Sequence, residues 1–447
     1  MQDGFRKPER RFESEDNSVE KPLRLIYVVG TYPSLTVTFI DREINILRRS
    51  GVDLQVMAVR RQTADIPLSA NQRALQESVI YLLPANWSSV IISQLYFAIL
   101  HPGRYFRTLF YLLTRPHPRG KARYLTPRFM TFLHFIEGVY AAHLLRRRQF
   151  EELHAHFVDR AATIVLVASR LLEKPYSLSI HAGPDIFVNP VLLREKILGA
   201  RHVATCTLYN KSYVEAIIGQ DLSGKISHIH HGLDLALYHP GSPVPNGQPL
   251  ILSVGQLTER KGFVPLIKGC RALRDQGHNF TCQIVGQGPQ RQELEILIKQ
   301  LALEDTVTLC GALRHEEVIK KYSQATMFVL PCIMSKIGNL DGIPNVLAEA
   351  MAMQVPVIST NISGIPELVK DQVNGLLTAP GDNAALVNAM AQLLNDPALR
   401  ERLGQNGRQA VVEKFDVERN VRQFAATLWP DWFQGLQPSR ATSLNPS

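Results

Sequence analysis

Cysteine is scarce in this chain of 447 residues, and its spacing does not fit a metal site. The five cysteines lie far apart, and no two have the short spacing of a zinc-binding pair. Their odd number and the apolar runs around most of them predict buried thiols in a reducing compartment, without a disulfide framework. We therefore expect no bound metal and a cytoplasmic location. The cysteines are Cys206, Cys270, Cys282, Cys310 and Cys332.

Three further absences narrow the class of protein. The N-terminus has charges but no apolar stretch behind them, so it does not resemble a secretory leader. The opening strand-like run is not followed by Gly-x-Gly-x-x-Gly, and Gly286-Gln287-Gly288 alone is a weak dinucleotide motif, which disfavours a two-domain dehydrogenase. No nucleic-acid recognition fold accompanies the net charge of +9, so we expect no nucleic acid as a partner.

Acidic residues are also missing from His101 to Arg128, where the chain is basic and rich in aromatic residues. This stretch belongs to an insertion that we place at about residues 83–128. Such a segment suits the headgroup region of an anionic membrane, on the cytoplasmic face. The alternative is an ordinary helical insertion with its aromatic side chains packed inward. Arg104 and Arg107 interrupt the longest apolar run, so it is too short to span a membrane.

Apolar strand-like runs alternate with amphipathic helical patterns twice along the chain. This alternation predicts an α/β protein with two Rossmann-like, doubly wound parallel sheets. The first begins with a strand at 23–29 and a helix at about 36–49, and the second restarts at Leu250 after a Pro- and Gly-rich connector. The predicted units are a disordered segment at 1–21, domains at 22–240 and 248–415, a helical region at 416–432 that could cross back to the first domain, and a disordered tail at 433–447.

The run from Asp341 to Glu349 places two carboxylates eight residues apart around the start of a helix. The rest of that helix is apolar on every side, which predicts that it is buried. A buried carboxylate needs a partner, because burying it unpaired is costly. We therefore expect Glu349 to meet a polar ligand, with a structural hydrogen bond to neighbouring backbone as the alternative.

Two cations, Arg260 and Lys261, follow a strand-like run that ends at Gly255. At the carboxyl end of a parallel strand such a pair can bind an anionic ligand, although adjacent cations more often lie on a solvated surface. A later strand-like run ends at Gly286 and Gly288, where glycine permits either a close approach of backbone to a ligand or a tight turn.

In combination these runs resemble the retaining nucleotide-sugar glycosyltransferases with the GT-B fold, the group called family 4, of the exopolysaccharide and colanic acid biosynthesis type. The resemblance covers about residues 22–430. Where the family usually has Glu at the first acid position, this chain has Asp341, whose side chain is shorter by one methylene. The matching positions are Gly255 with 260–262, then 285–289, 341–349, 363–369 and 374–377.

The resemblance implies transfer of a sugar from a nucleoside diphosphate sugar to a hydroxyl of a saccharide or lipid-linked acceptor, with retention and without a metal or other cofactor. Arg260, Lys261 and a helix N-terminus would stabilise the leaving diphosphate. Asp341 would bind the donor sugar and Glu349 the ribose. Other donor-binding positions are Gly255, Gly286, Gly288, Gly342, Ile343, Pro344, Asn345 and Val346.

Histidines complete the expected site. His181 ends a predicted strand and looks like the family's histidine that contacts the donor sugar. Gly30, Thr31 and His156 are expected on the acceptor side, with a strand-end or core role as the alternative for His156 and its neighbour His154. His231 is expected near the hinge between the domains. Adjacent residues of a strand point to opposite faces, so His230 and His231 are poorly placed to bind one metal ion.

Other functions remain compatible with the same architecture. A sugar-nucleotide epimerase would form product without an acceptor. An inactive nucleotide-sugar binding protein would bind donor without turnover. A phosphorylase would need a lysine that forms a Schiff base with pyridoxal phosphate, and no lysine is marked for that role.

Overall fold

The computed structural model describes residues 22–34, 38–62, 73, 76–116, 127–219, 221–222, 224–241 and 247–433. The segment 1–21, predicted to be disordered, lies outside the described residues, as do 117–126 of the insertion and 242–246 of the connector. Phe433, predicted as the first residue of the tail, ends a short helix, and the rest of the tail is not described.

A seven-stranded parallel sheet forms the first domain, in the order β3-β2-β1-β4-β5-β6-β7. Its alternation of strand and helix is the one that the sequence predicts. From β1 the chain adds β2 and β3 on one side, and then continues with β4 on the other side of β1. The strand order therefore reverses between β1 and β4, and sheets of this type bind ligands at the carboxyl ends of the strands next to such a reversal. The strands are β1 Arg24–Thr31, β2 Asp53–Arg60, β3 Ile80–Leu83, β4 Glu152–His156, β5 Tyr176–Ile180, β6 Val203–Thr205 and β7 Ile226–His228.

A second parallel sheet of six strands follows, in the order β10-β9-β8-β11-β12-β13. It repeats the doubly wound topology, with β8 and β11 at its switch point. One apolar cluster fills both of its faces. The strands are β8 Leu250–Val254, β9 Thr281–Val285, β10 Val307–Gly311, β11 Met327–Leu330, β12 Val357–Thr360 and β13 Leu376–Thr378.

The helices connect these strands and cover both faces of each sheet. Two single turns of 3-10 helix, Leu235–Leu237 and Glu259–Lys261, lie in the loops. The α-helices of the described residues are Thr38–Arg49, Trp87–Leu100, Pro102–Thr114, Pro127–Leu145, Arg160–Leu172, Pro184–Phe187, Leu193–Gly199, Leu208–Ile218, Phe263–Asp275, Arg291–Gln300, His315–Gln324, Asn345–Ala352, Ile365–Leu368, Asn383–Asn395, Pro397–Lys414, Val417–Leu428 and Pro430–Phe433.

The first sheet is buried on both faces, and its strand β1 shows how the sequence fills them. Successive side chains of a strand point to opposite faces. Leu25 and Tyr27 join one apolar cluster, whereas Ile26 and Val28 join the other. A strand buried on both sides reads as a continuous apolar run, as this one does.

The helix Val417–Leu428 packs on the first domain, although it follows the second along the chain. Val421, Phe424 and Leu428 lie in one apolar cluster with residues of β1 and of the helix Thr38–Arg49. The chain passes between the domains twice, once after Leu233 and once near Phe415. Backbone hydrogen bonds connect these two segments, because Leu233 N donates to Phe415 O at 2.6 Å and Val417 N donates to Leu233 O at 3.1 Å. The first domain is therefore completed by residues from the far end of the sequence.

The described part of the insertion forms two helices on the first domain, Trp87–Leu100 and Pro102–Thr114, and their aromatic residues point both ways. Phe97 is buried in the core, as the structural alternative predicted. Trp87, Phe106 and Phe110 point outward, with 74%, 56% and 71% of their surface exposed. None of the described helices is both long and apolar enough to cross a membrane.

Candidate active site between the two domains

The carboxyl ends of the two sheets meet at a crevice in which the domains touch. A Cβ built on Gly342 would lie 3.3 Å from Cβ of Ala182, the residue after His181. Glu367 of the second domain accepts hydrogen bonds from the backbone N–H groups of Leu208 and Tyr209 at 2.8 and 2.9 Å, at the start of a first-domain helix. The loop that carries Asp341 therefore lies directly against the strand end that carries His181.

Three of the predicted donor-site residues form one cluster. Arg260 Nε donates to Asp341 Oδ1 at 2.9 Å, and Lys261 Nζ lies 3.0 Å from Asp341 Oδ2. The cations occupy the 3-10 turn after β8, and Asp341 lies in the loop before the helix Asn345–Ala352. Sequence reasoning placed all three at the site but did not predict that they would pair with one another.

The two cations set the charge of Asp341. Burial raises the pKa of this carboxyl, but Lys261 and Arg260 oppose that effect, and the net pKa is lower than that of an ordinary aspartate. Asp341 is therefore ionised at neutral pH. The cluster of Arg260, Lys261 and Asp341 keeps one net positive charge, which favours an anionic ligand.

Glu349 is buried, as its apolar helix predicted, with 8% of its surface exposed. Its Oε2 accepts a hydrogen bond from the Tyr322 hydroxyl at 3.2 Å, and the Tyr238 hydroxyl also bonds to this side chain. Burial, reinforced by the glutamate, raises the pKa of both phenols, so they remain donors. Neither tyrosine was predicted, because Tyr238 lies in the connector and Tyr322 occupies an ordinary core position of its helix.

The donor-side backbone has two features that suit an anion. Pro344 precedes the helix Asn345–Ala352 and gives it no side-chain cap, so the first N–H groups stay available. Gly286 has φ of +147°, and a Cβ there would lie 1.9 Å from the carbonyl oxygen of Gly255. This glycine is therefore required for the backbones of the two strand-end loops to come into contact, and its role in donor binding stays a prediction. The roles of Ile343, Val346 and Gly288 in binding stay predictions.

Three histidines form a hydrogen-bonded chain at the first-domain side of the crevice. His156 ends β4, His181 follows β5, and His231 lies in the loop after β7. His181 Nδ1 lies 3.0 Å from His231 Nε2, and His181 Nε2 lies 3.2 Å from His156 Nδ1. His156 Nε2 is in turn 3.3 Å from Glu43 Oε1. Both ring nitrogens of His181 are thus engaged with other histidines, an arrangement that the sequence did not predict. His154 instead bonds Ser177 and Ser179 through its two ring nitrogens.

The expected acceptor-side residues lie beside this chain. Gly30 and Thr31 end β1, next to β4, which carries His156. Thr31 is exposed, whereas His156 is fully buried. Direct contact with an acceptor is therefore open to Thr31 but not to the fully buried side chain of His156.

Three groups of side chains within the described residues bring potential metal ligands within 4.8 Å of one another. In the first, His181 and His231 already bond each other. Metal independence stays a prediction. The groups are His181 with Cys206 and His231, Glu43 with His154 and His156, and His228 with His230 and Glu367.

The buried histidines predict acid sensitivity. Burial lowers the pKa of His231 to about 3 and that of His181 well below its usual value. A depressed pKa stabilises the fold above the unfolded value of about 6.5, and this stabilisation is lost as pH falls toward the folded value. We expect each such histidine to cost about 1.4 kcal/mol per pH unit below 6.5. Urea unfolding at pH 7.5, 6.5 and 5.5 measures the slope.

A substituted chain provides the control for that measurement. His231→Asn is expected to reduce the slope by about one proton, because the group that gains a proton on unfolding is gone. His239→Asn, at an exposed position, should leave it unchanged. Equal slopes for wild type and His231→Asn would contradict the prediction.

The cysteines match their prediction only in part. Cys270, Cys282 and Cys332 are buried, but Cys206 and Cys310 are partly exposed, so the expectation of five buried thiols was wrong for these two. All five are free thiols. Cys282 and Cys310 lie on strands and Cys270 on a helix, whereas Cys206 follows β6. Cys206 and Cys310 lie at strand ends, which are less covered than strand centres.

The family comparison concerns mainly the second domain. Residues 237–410 match the family described as glycosyl transferases group 1. The WcaL protein of Salmonella typhimurium, named as a colanic acid biosynthesis glycosyltransferase, is 37% identical over 206 residues, which are 46% of this chain and 51% of that protein. The amylovoran biosynthesis glycosyltransferase AmsK of Erwinia amylovora is 38% identical over 40% of this chain and 45% of its own length. The chain thus spans about half the length of the curated relatives it matches.

Solved structures resemble the whole chain. HepE of Anabaena, crystallised in complex with UDP, aligns with a TM-score of 0.66 and 17% identity over 91% of this chain and 99% of its own. Sucrose-phosphate synthase of Thermosynechococcus elongatus aligns with a TM-score of 0.67 and 18% identity over 93% of this chain and 100% of its own. The chain therefore has the GT-B fold, and its residues 237–410 match the glycosyl transferases group 1 family.

Proposed function

We propose that the protein is a retaining, metal-independent glycosyltransferase of family 4. It would move a sugar from a nucleoside diphosphate sugar to a hydroxyl of a saccharide or lipid-linked acceptor in surface polysaccharide biosynthesis. The observation that carries the proposal is the cluster of Arg260, Lys261 and Asp341 beside the uncapped helix N-terminus, inside the crevice between the domains. The names of the similar proteins from Salmonella and Erwinia support the pathway.

The cluster suits the departure of a nucleoside diphosphate. Negative charge grows on the diphosphate as the glycosidic bond breaks, and preorganised cations lower the free energy of that transition state. The Nε of Arg260 bonds Asp341, and its guanidinium carries four further N–H donors for phosphate oxygens. Lys261 and the first N–H groups of the helix Asn345–Ala352 would add to this stabilisation without a metal ion.

Retention would follow from attack on the face that the leaving group vacates. Asp341 is a weak nucleophile, because two cations hold it and lower its pKa. Its expected task is to accept hydrogen bonds from donor sugar hydroxyls. Glu349, with one oxygen already bonded to Tyr322, would use its remaining acceptor capacity for the ribose hydroxyls.

The insertion supports a peripheral position on the cytoplasmic face of an anionic membrane. On the helix Trp87–Leu100, the outward residues Trp87, Ile91, Leu95 and Ile99 recur every four positions and form one exposed apolar stripe. Val90 and Phe97 bury the opposite side of the same helix. Large exposed apolar patches mark interaction surfaces.

Charge indicates what this surface contacts. Between Glu77 and Glu137 the sequence has seven arginines and lysines and no acidic residue. Arg107 and Arg128 are exposed beside the apolar positions, whereas Arg104 pairs with Glu173 at 2.5 Å. Each cation near an anionic bilayer contributes about 1 kcal/mol to binding. An acceptor linked to lipid would then be presented on the same surface.

Nucleotide binding tests the transferase proposal without knowledge of the acceptor. We expect one of the three nucleotides UDP, GDP and ADP to raise the melting temperature of the protein. EDTA is present throughout, so that binding is measured without a divalent metal ion. A ligand at 100 times its Kd adds about 2.7 kcal/mol to the free energy of unfolding. The nucleotide that binds names the base for a donor sugar screen.

Two results would contradict this assignment. Stabilisation by NAD alone would favour a dehydrogenase, and no shift with any diphosphate would remove the donor site. Turnover of the donor separates the remaining alternatives: product without acceptor identifies an epimerase, and binding without turnover identifies an inactive binding protein.

A further inference from the structure

The histidine chain of the crevice ends at a carboxyl group on one side and at the donor loop on the other. Glu43 lies on the helix Thr38–Arg49 and accepts a hydrogen bond from the Tyr27 hydroxyl at 2.7 Å. From Glu43 the chain runs through His156 and His181 to His231, with successive distances of 3.3, 3.2 and 3.0 Å. The His231 side chain also hydrogen-bonds Asn345, the first residue of the second-domain helix at the donor site.

Each link of such a chain has one donor and one acceptor, so the proton positions depend on one another. A carboxylate oxygen accepts hydrogen bonds. Glu43 Oε1, 3.3 Å from Nε2 of His156, therefore favours a proton on that nitrogen, and Nδ1 becomes an acceptor. His181 then donates from Nε2 to His156, and His231 donates from Nε2 to His181 Nδ1.

This order requires neutral rings, and the surroundings of His181 and His231 favour them. Burial, followed by neighbouring histidines, lowers the pKa of His181 well below its usual value. Burial also lowers the pKa of His231 to about 3. A neutral imidazole has one N–H and one lone pair, and the partner of one nitrogen decides which nitrogen has the proton.

We propose that Glu43 and His156 are positioning residues that fix His181 and His231 as Nε2–H tautomers. With its Nε2 proton given to His181, His231 keeps a lone pair on Nδ1. The chain would thus hold both rings in one orientation beside the donor loop, whose helix begins at Asn345.

This inference rests on the proposed transferase function for its catalytic consequence, but the tautomers do not need substrate. In wild-type protein with ¹⁵N-labelled histidine, long-range ¹⁵N–¹H spectra are expected to show one neutral Nε2–H form of His156, His181 and His231 between pH 6 and 8. Resonances are assigned through single His→Gln variants. Mixed tautomers, or an Nδ1–H form of His181, would overturn the proposal.

The variant Glu43→Gln keeps the size of the side chain and removes its charge. We expect that the ring protons are then no longer held on one nitrogen, so that His156 and His181 give mixed tautomers. We also expect kcat to fall between about 10-fold and 100-fold, with little change in the KM for donor. Glu43→Asp, which restores the anion, should recover the wild-type tautomer. Glu418→Gln, whose carboxylate pairs with Arg49 on the surface, is the matched control and should change neither.

The two readouts separate failure of this inference from failure of the transferase proposal. Absence of transfer in the wild type, together with fixed Nε2–H tautomers, would contradict the transferase function alone. Wild-type tautomers and wild-type kcat in Glu43→Gln would contradict the positioning role alone. Because the wild-type spectra are informative by themselves, the inference stays testable even where Glu43→Gln fails to fold.

Discussion

Replacing Arg260 by alanine is expected to lower kcat for transfer by about two to three orders of magnitude, because it removes a preorganised cation from the leaving group. The fold should persist. The side chain is partly exposed at the crevice, and Lys261 remains 3.0 Å from Asp341 to pair its charge. Transfer assays with the nucleotide found by thermal shift measure the loss, and urea unfolding checks stability.

Arg271→Ala is the matched control for this substitution. Arg271 forms an ion pair with Asp275 at 2.8 Å on the surface of the same domain, away from the crevice. We expect that variant to keep wild-type kcat and nucleotide binding. Full turnover by Arg260→Ala, with a normal melting temperature, would remove the proposed leaving-group site.

Substitution of two residues of the exposed stripe, Ile91→Glu with Ile99→Glu, is expected to weaken binding to phosphatidylglycerol vesicles by about 100-fold. Burying an isoleucine side chain contributes about 1.5 kcal/mol or more, and 1.4 kcal/mol corresponds to a factor of ten in Kd. Cosedimentation with vesicles of increasing phosphatidylglycerol content measures the affinity. Wild type should bind poorly to vesicles of phosphatidylcholine alone.

The second domain provides a matched control for the membrane surface. Ile296 is 49% exposed on the helix Arg291–Gln300, compared with 58% for Ile91. Ile296→Glu should bind vesicles as wild type does, and the stripe variant should keep its activity on a water-soluble acceptor. Equal vesicle binding by all three proteins would disprove docking through the insertion.

The environment of Glu349 changes how its role is best tested. From the sequence, Glu349→Ala would be expected to abolish transfer and keep the fold. In the structure Glu349 accepts a hydrogen bond from the buried Tyr322 hydroxyl, which also reaches Val346 O at 3.3 Å. Removing the glutamate therefore takes one partner from that phenol and opens a cavity. Glu349→Gln keeps the volume and one acceptor oxygen, and therefore separates loss of activity from loss of stability.

The fold was predictable because its strands are buried on both faces and carry strong apolar runs. The strand at 250–254 and the restart after the connector were visible in the sequence for that reason. The charged pair at 260–261 was also predictable, since a strand end fixes where the next residues lie. Helix and strand ends differ by one or two residues, as frayed termini do.

Contacts between distant residues could not be predicted in the same way. Glu43 is an ordinary polar position of an amphipathic helix in the sequence, and only the packing of that helix on β1 and β4 brings it to His156. The ion pairs of Asp341 with Arg260 and Lys261 likewise join residues about eighty positions apart. The periodicity of apolar residues predicts which face of a helix or strand is buried, but it does not predict which other element packs against that face.

The helix Val417–Leu428 has a consequence for how the protein is made. Its residues Val421, Phe424 and Leu428 complete the apolar cluster that begins with β1. On the ribosome the second domain is fully synthesised before this helix emerges, and it can fold from its own residues. The first domain, although it is translated earlier, must wait with part of one sheet face uncovered, so the order of completion is the reverse of the order of synthesis.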